Sequence, residues 1–127
     1  YDIIMISYEE FAKVEIRAGK VLSAEKIPDT DKLLKLSVDF AETTEVVDEV
    51  GVKTITPKVR QIVSGISAYF PDPATLVGKT CMFVTNLEPR TIRGFESNGM
   101  LFAVSPPEGA FSLLEPNLTI PPGTKAK

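Results

Sequence analysis

Apolar and polar residues alternate with a period of two over much of the chain. In residues 33–40, LLKLSVDF, every second position is apolar: Leu34, Leu36, Val38 and Phe40. Successive side chains of a strand point to opposite faces, so this pattern predicts a strand with one buried face. Four further segments predict strands at 15–27, 59–70, 79–87 and 99–105. The segment 79–87 is apolar on both faces, which predicts a central position in the sheet.

The first predicted strand, EIRAGKVLSAEKI, alternates less cleanly than the second. Its apolar face is predicted to carry Ile16, Ala18, Leu22 and Ala24. Gly19 lies inside the segment, and a glycine within a strand predicts a bend or a bulge. Such a feature is expected where a strand curves around a small barrel.

Two segments predict helical structure. In residues 6–14, ISYEEFAKV, Ser7 is a favourable N-cap and Glu10 completes a capping box, with Ile6 and Phe11 at the positions of a hydrophobic staple. The segment DPATLVG, between the third and fourth predicted strands, is typical of one or two helical turns.

The order of these elements predicts an all-β fold. A helix, three strands, a short helix and two strands form the pattern of the OB-fold, a five-stranded, partly open barrel. Other small barrels and sandwiches remain alternatives on pattern alone. The length predicts one domain over residues 1–127. Its expected parts are a helix at 6–14, a barrel at 15–104 with an inserted hairpin at 41–58, and an extension at 105–127.

The inserted segment has segregated charges. Five acids come first without a base among them: Asp39, Glu42, Glu45, Asp48 and Glu49. The bases Lys53, Lys58 and Arg60 follow. We expect a hairpin that turns near Glu49–Gly51, and we interpret the acid run as a solvated edge.

The segment after the barrel is apolar and rich in proline. Its apolar residues are Phe111, Leu113, Leu114, Leu118 and Ile120. Proline lacks the N–H that a strand ladder needs, so short extended pieces are expected. The segment either covers its own barrel or pairs with a second copy of the chain.

Composition argues against an enzyme. The chain has no histidine and only one cysteine, which removes the commonest general base and a structural zinc site. Glycine-rich phosphate motifs are absent from the sequence. We therefore expect no catalytic activity, no cofactor and no metal. Cys81 lies in an apolar run, which predicts a buried thiol.

The single cysteine and the short apolar stretches predict where in the cell the protein is located. A single cysteine cannot form an internal disulfide, which is typical of a reducing compartment, so a cytoplasmic protein is expected. No apolar stretch is long enough to span a membrane, and the N-terminal residues lack the pattern of a signal peptide.

Net charge limits the kind of nucleic-acid binding that is possible. The chain has 14 basic and 17 acidic residues, a formal net charge of −3. Phosphate neutralisation dominates sequence-independent affinity, so indiscriminate binding is disfavoured. A nucleic-acid site on this chain must therefore be a local basic patch.

Four short motifs in order carry a resemblance to a known family. They are Asp31-Lys32-Leu33, Ser64-Gly65, Asn86-Leu87 and RGFESNGM at residues 93–100. Together they resemble the tRNA-binding domain family. That family includes a free-standing dimeric tRNA-binding protein, the C-terminal domain of bacterial methionyl-tRNA synthetase, a cytokine-like synthetase cofactor domain and an export-associated branch. One departure is Ile27-Pro28, where the family usually has His-Pro.

The resemblance and the basic residues together indicate an RNA surface. OB-folds bind through strands two and three and through the loops 1–2 and 4–5. Lys32 lies in the first loop, and Arg90 and Arg93 lie in the second. The other expected RNA contacts are Asn86, Ser97 and Met100. Four of the six residues have a structural alternative. Lys32 would balance neighbouring acids, Asn86 would tie the loop, Ser97 would belong to a turn and Met100 to the core.

The resemblance implies binding of tRNA by shape. The chain would act alone or as the C-terminal appendage of methionyl-tRNA synthetase, and the expected partners are tRNA, a synthetase catalytic domain and a second copy of the chain. The homodimer is expected to form through residues 105–127 together with IMISYEEF. The alternative is a dimeric export-associated chaperone that binds apolar peptides. The complete RGFESNGM motif favours tRNA, because the export branch does not keep it.

Overall fold

A computed structural model describes residues 3–127, so the first two residues of the predicted domain lie outside the described residues. One short helix and nine strands follow in order: α1 Tyr8–Ala12, β1 Ile16–Lys26, β2 Leu34–Val47, β3 Lys53–Ser64, β4 Thr80–Val84, β5 Arg90–Ile92, β6 Phe95–Ser97, β7 Met100–Leu101, β8 Ala103–Val104 and β9 Ser112–Leu113. Two 3₁₀ helices, Ser67–Tyr69 and Pro73–Leu76, separate β3 from β4.

Five strands form one antiparallel sheet in the order β3-β2-β1-β4-β7. This arrangement confirms the predicted all-β OB-like fold. The alternating residues of β2 are buried as predicted, and Phe40 packs edge-on against Phe83 of β4 with ring centres 5.2 Å apart. Cys81 belongs to the same core, and burial raises the pKa of its thiol to about 11. A thiol with so high a pKa is protonated and unreactive at neutral pH.

The first strand departs from its predicted pattern at Leu22. The register between β1 and β2 shifts between Val21 and Ser23, which makes Leu22 the extra residue of a bulge. Leu22 is therefore exposed, and Val21 lies in the core in its place. Gly19 does not form the bulge. A β-carbon there would lie 2.5 Å from Cε1 of Phe40, so this position accommodates the core ring.

The N-terminal helix is shorter than predicted but begins as predicted. The hydroxyl of Ser7 accepts a hydrogen bond from the backbone N–H of Glu10, and the Glu10 carboxylate accepts one from the N–H of Ser7. This capping box offsets two of the unpaired donors that begin every helix.

The third strand ends at Ser64 instead of continuing to Phe70. Residues 67–69 form a 3₁₀ helix, and the N–H of Ser67 donates to the carbonyl of Lys32. The apolar residues after Gly65 therefore fold back under the loop that carries Lys32. A period-two pattern cannot distinguish this turn from a longer strand.

The inserted hairpin is a continuation of β2 and β3 as a projecting ribbon. Six pairs, from Glu42 opposite Lys58 to Val47 opposite Lys53, extend it by about 20 Å at the usual rise of a strand. The chain turns after Asp48, whose carboxylate accepts from the N–H groups of Val50 and Val52.

Two of the five acids in the run form ion pairs with later bases. Glu42 binds Arg60 at 2.7 Å, and Glu45 binds Lys53 at 3.2 Å across the strands. The interpretation of the run as a solvated edge is wrong for Glu42, whose side chain is only 29% exposed, whereas Glu45 remains exposed despite its ion pair. The antiparallel register brings these acids near the later bases, which partly neutralises the ribbon.

The C-terminal segment packs against its own barrel. Phe111 stacks on Tyr69 with ring centres 4.1 Å apart. Near the end of the chain, the N–H of Gly123 donates to the carbonyl of Ala18, and the N–H of Ala18 donates to the carbonyl of Thr124. Gly123 has a φ of +87°, and a β-carbon there would clash with the Phe40 carbonyl. Phe111 and the residues around Gly123 thus cover the chain's own barrel. Pairing of residues 105–127 with a second copy stays a prediction.

The residues that the structure describes contain neither a membrane-spanning helix nor a cluster of metal-ligating side chains. Over residues 3–127, no helix is long and apolar enough to cross a membrane. Within that same range, histidine, cysteine and acidic side chains do not gather in threes or more in a geometry that would hold a metal ion.

Candidate nucleic-acid interface

The loop between β1 and β2 and the long loop after β4 meet at one edge of the sheet. We call residues 27–33 the first loop and residues 85–99 the second loop. They enclose a hollow of about 440 Å³ that Arg93 shares with residues 29–33. The structure thus brings together Lys32 and Arg93, which are far apart in sequence.

The tip of the second loop explains why Arg93 is exposed. Strands β5 and β6 form a hairpin in which Ile92 pairs with Phe95, leaving Arg93 and Gly94 as a two-residue turn. Their φ angles are +52° and +84°, the signature of a type I′ turn. Arginine is uncommon in this conformation, whereas asparagine adopts it readily. The turn directs an arginine away from the sheet at a small conformational cost.

The hairpin lies across the outward face of β2 and β3. The amide of Gln61 donates to the carbonyl of Glu96 at 3.0 Å, and the N–H of Asn98 donates to the carbonyl of Gln61 at 2.8 Å. The ammonium of Lys35 lies 4.9 Å from the centre of the Phe95 ring, a cation–π contact. The second loop is therefore attached to the face that OB-folds use for binding.

A second hollow of about 290 Å³ lies between the second loop, the end of β3 and β7. Arg90, Met100 and Ser97 line it, together with Ser64 and Gly65. Arg90 and Met100 are exposed, so both are accessible to a ligand. Ser97 is only 5% exposed. Its hydroxyl accepts from the N–H of Val63 and lies within hydrogen-bond distance of the Gly99 carbonyl.

Asn86 ties the start of the second loop to the start of the chain. Its Oδ1 accepts from the N–H of Glu15 at 2.8 Å, and its Nδ2 donates to the carbonyl of Lys13. The structure thus engages the amide of Asn86 and the hydroxyl of Ser97 in internal hydrogen bonds. Both residues can act by shaping the surface on which Lys32, Arg90 and Arg93 lie.

The three exposed cations of the interface, Lys32, Arg90 and Arg93, differ from the remaining arginines in their ion pairing. Arg17 and Arg60 form ion pairs with Glu15 and Glu42. Within residues 3–127, Lys32, Arg90 and Arg93 form no ion pair. Free exposed cations are the groups that neutralise phosphate with the least competition from the protein.

Below the second loop, Glu15 is held strongly in its charged form. Its carboxylate accepts from Nε of Arg17 at 2.8 Å and from the hydroxyl of Thr85 at 2.7 Å. The hydrogen bond from Arg17, followed by that from Thr85, lowers the pKa of Glu15 from 4.5 to about 2. Thr85 begins the second loop, so this cluster anchors the loop to β1.

We expect Glu15→Gln to remove a pH-dependent part of the stability. Because the pKa of Glu15 is depressed to about 2, its contribution is present above the unfolded pKa near 4.5 and is lost as the pH falls towards 2. The free energy of unfolding of the wild type should exceed that of the variant at pH 6, and the gap should close at low pH. Urea unfolding at several pH values measures this. A gap that is the same at pH 6 and pH 2.5 would contradict the assignment.

One buried connection was missed by the sequence interpretation. In the sequence Arg60 is one of the bases that follow the acid run, and nothing there predicts that only 17% of its side chain is exposed. Its hydrogen bonds to Glu42 lower the pKa of that carboxyl. The available signal was the hairpin register. A turn at Glu49–Gly51 places residue 42 beside residues 58–60.

Comparison with known proteins decides the family. The family model described as "Putative tRNA binding domain" matches residues 16–125. The chain belongs to this family. The match includes both loops and all six of the residues that the sequence predicts as RNA contacts. The chain matches the family model although it has Ile27 where the family usually has histidine and although it carries the ribbon.

The tRNA-binding domain is similar to part of a methionine–tRNA ligase and to a MetRS-related protein. It is 48% identical over 123 residues to the methionine–tRNA ligase of Methanoregula boonei, covering 97% of this chain and 16% of that protein. The chain thus spans about a sixth of the length of this curated relative. Its structure resembles a MetRS-related protein from Pyrococcus horikoshii, with a TM-score of 0.80 and 34% identity over 98% of this chain and 100% of that one.

A chaperone has the same architecture. The chaperone CsaA of Bacillus anthracis str. Ames matches with a TM-score of 0.74 and 28% identity, covering 98% of this chain and 100% of that chain. Architecture alone therefore does not separate a tRNA-binding domain from a chaperone, and the distinction depends on side chains at the interface.

Proposed function

We propose that this domain binds tRNA by shape through the rim where the first and second loops meet. The observation that carries the proposal is the juxtaposition of Lys32 and Arg93 on one hollow, with Arg90 on a second hollow that the second loop also lines. All three are unpaired among the described residues. Family membership supports tRNA as the nucleic acid.

The arrangement suits shape recognition better than sequence recognition. Lys32, Arg90 and Arg93 would contact phosphates, and the exposed thioether of Met100 offers an apolar surface to a sugar or a base face. Folded RNA is recognised largely through phosphates and 2′-hydroxyls, which fits a few cations spread over two loops. Asn86 and Ser97 would hold the second loop in place.

We further propose that the domain serves a methionyl-tRNA synthetase. The relatives that match it are ligases of which it covers about a sixth, which supports an appended role. A second tethered contact raises the effective concentration of tRNA near a catalytic domain without any chemistry of its own. We place this role in the cytoplasm, which the free buried thiol of Cys81 supports.

A homodimer remains part of this proposal. Tyr8, Phe11 and Val14 line an open apolar groove of about 540 Å³ together with the last three residues of the chain. Beside it, residues 3–6 expose four large apolar side chains: Ile3, Ile4, Met5 and Ile6. Such an exposed patch marks an interaction surface. A second copy would cover groove and segment at once in an isologous contact.

We expect the chain to have the mass of a dimer by light scattering at micromolar concentration, and Phe11→Glu to shift it to a monomer. The introduced charge would be buried without a partner in the proposed interface. Lys53→Glu, which also alters charge but lies on the ribbon, serves as the control and should leave the dimer intact. A monomeric wild type would contradict this part of the proposal.

Competition with unlabelled ligands tests the function. A complex of the protein with labelled tRNA is challenged with tRNA, duplex RNA, single-stranded DNA or an apolar peptide. Unlabelled tRNA should displace the label at the lowest concentration. Displacement of the label by the apolar peptide at a lower concentration than by tRNA would instead favour the second candidate, a chaperone, for which the likeness to CsaA is the supporting observation.

A further inference from the structure

Arg60 joins three parts of the molecule. From β3, its Nε and Nη2 donate to the two carboxylate oxygens of Glu42 at 2.7 and 2.8 Å. Its Nη1 donates to the backbone carbonyls of Thr85 and Asn98. The guanidinium also lies 5.3 Å from the centre of the Phe40 ring. We call Arg60 with these hydrogen-bond partners the Arg60 clamp.

The two carbonyls that Arg60 holds lie at the two ends of the second loop. Thr85 is its first residue, and Asn98 is its last but one. Between them lie Arg90 and Arg93, the exposed cations of the proposed RNA surface. One guanidinium therefore fixes where this segment leaves the sheet and where it returns.

Glu42 fixes the guanidinium in turn. A bidentate arginine–carboxylate pair has a defined geometry, so the two bonds to Glu42 set the direction in which Nη1 points. Glu42 follows the register shift between Asp39 and Glu42, at the base of the projecting ribbon. The base of the ribbon thus helps to fix the second loop, independently of what the tip of the ribbon contacts.

We propose that Arg60 is a positioning residue for RNA binding, which holds both ends of the second loop while Glu42 holds Arg60. This inference rests on the proposed function of that loop. Three nitrogens of Arg60 are already engaged and its side chain is mostly buried, so it does not contact RNA itself.

The physical effect of the clamp is preorganisation. A loop that is fixed before binding does not lose conformational freedom on contact with RNA, so more of the contact energy is expressed as affinity. Loosening it should weaken binding without removing a phosphate contact. The slope of log affinity against log salt, which counts phosphate contacts, should then stay unchanged.

The test combines backbone hydrogen exchange of the free protein with tRNA affinity at several salt concentrations. Arg60→Lys keeps a positive charge but loses the planar fork, and Glu42→Gln keeps the shape but loses the charge. Both should speed exchange within residues 85–99 while β1 and β4 exchange as in the wild type. The dissociation constant for tRNA should rise by about tenfold for Arg60→Lys, with an unchanged salt slope.

Glu45→Gln is the matched control. Glu45 is the other ribbon glutamate paired across the strands, with Lys53, and it has no bond to the second loop. This variant should leave loop exchange and tRNA affinity as in the wild type. Equal effects of Glu42→Gln and Glu45→Gln would show that ribbon charge matters and would overturn the clamp.

Four other outcomes decide the matter. Wild-type loop exchange and affinity in Arg60→Lys would overturn the proposal, and so would a salt slope shallower by about one unit, which would make Arg60 itself a phosphate contact. If Arg60→Lys speeds exchange throughout the sheet, that variant is destabilised as a whole, and Glu42→Gln then decides. Glu42→Gln must speed exchange in the second loop alone, or the proposal is wrong. If the wild type binds no tRNA but the variants still speed exchange in the second loop, the proposed function is contradicted and the clamp is supported.

Discussion

Replacing Gly19 with alanine is expected to destabilise the domain by about 1–3 kcal/mol, the usual cost of overpacking a core. The added β-carbon would lie 2.5 Å from Cε1 of Phe40 and 2.6 Å from Cγ1 of Val38. Neither side chain can move away easily, because Phe40 is fully buried and packs edge-on against Phe83. Denaturant unfolding of both proteins measures the difference.

Gly65→Ala provides the control for this experiment. No atom lies within 4 Å of a β-carbon at residue 65, and its φ is not in the left-handed region. Alanine restricts the unfolded chain more than glycine does, so the free energy of unfolding should stay unchanged or rise by about 0.4–1 kcal/mol. If Gly19→Ala were as stable as Gly65→Ala, the close packing of β1 against Phe40 would be contradicted.

Removing both cations of the first hollow should weaken tRNA binding by about two to four orders of magnitude. Each charge-assisted contact contributes on the order of 1.5–3 kcal/mol. The variant is Lys32→Met with Arg93→Asn. Asparagine is chosen because residue 93 has a φ of +52°, which it tolerates well. The salt slope should become shallower by nearly two units, one for each lost phosphate contact. Filter binding over a range of salt concentrations measures both quantities.

Two controls separate this effect from net charge and from folding. Lys53→Met with Lys79→Met removes the same charge at sites outside both loops, so affinity should change little. Arg93→Lys keeps the charge at the turn and should retain most of the binding. Equal losses in the two double variants, with intact folding, would show that only net charge matters and would exclude a rim site.

Periodicity predicted the fold well where one face of a strand is buried. The alternation in β2 corresponds to its core residues, and the capping box of α1 follows from side-chain chemistry within four residues. The pattern failed at Leu22 because a bulge inverts the alternation, and it failed after Ser64 because an apolar 3₁₀ turn has no period of its own. Both features depend on packing between segments that are distant in sequence.

The interface was predictable in part. Motifs and OB-fold topology indicated that the first and second loops would meet, and the structure confirms that Lys32 and Arg93 share a hollow. The internal bonds of Asn86 and Ser97 could not be derived, because they depend on where a hydroxyl and an amide lie in three dimensions. The Arg60 clamp was missed because a run of acids followed by bases indicates solvated charge unless the hairpin register is applied.

Protection of the protein by tRNA tests the central claim most directly. Side-chain oxidation followed by mass spectrometry compares the free and bound protein at every exposed segment. Binding through one rim predicts that tRNA protects the first and second loops together, including the exposed Leu87, and also the adjacent exposed Met100 of β7, while Val50 at the ribbon tip stays accessible. Protection of the ribbon tip or of residues 3–14, with both loops still accessible, would contradict the account.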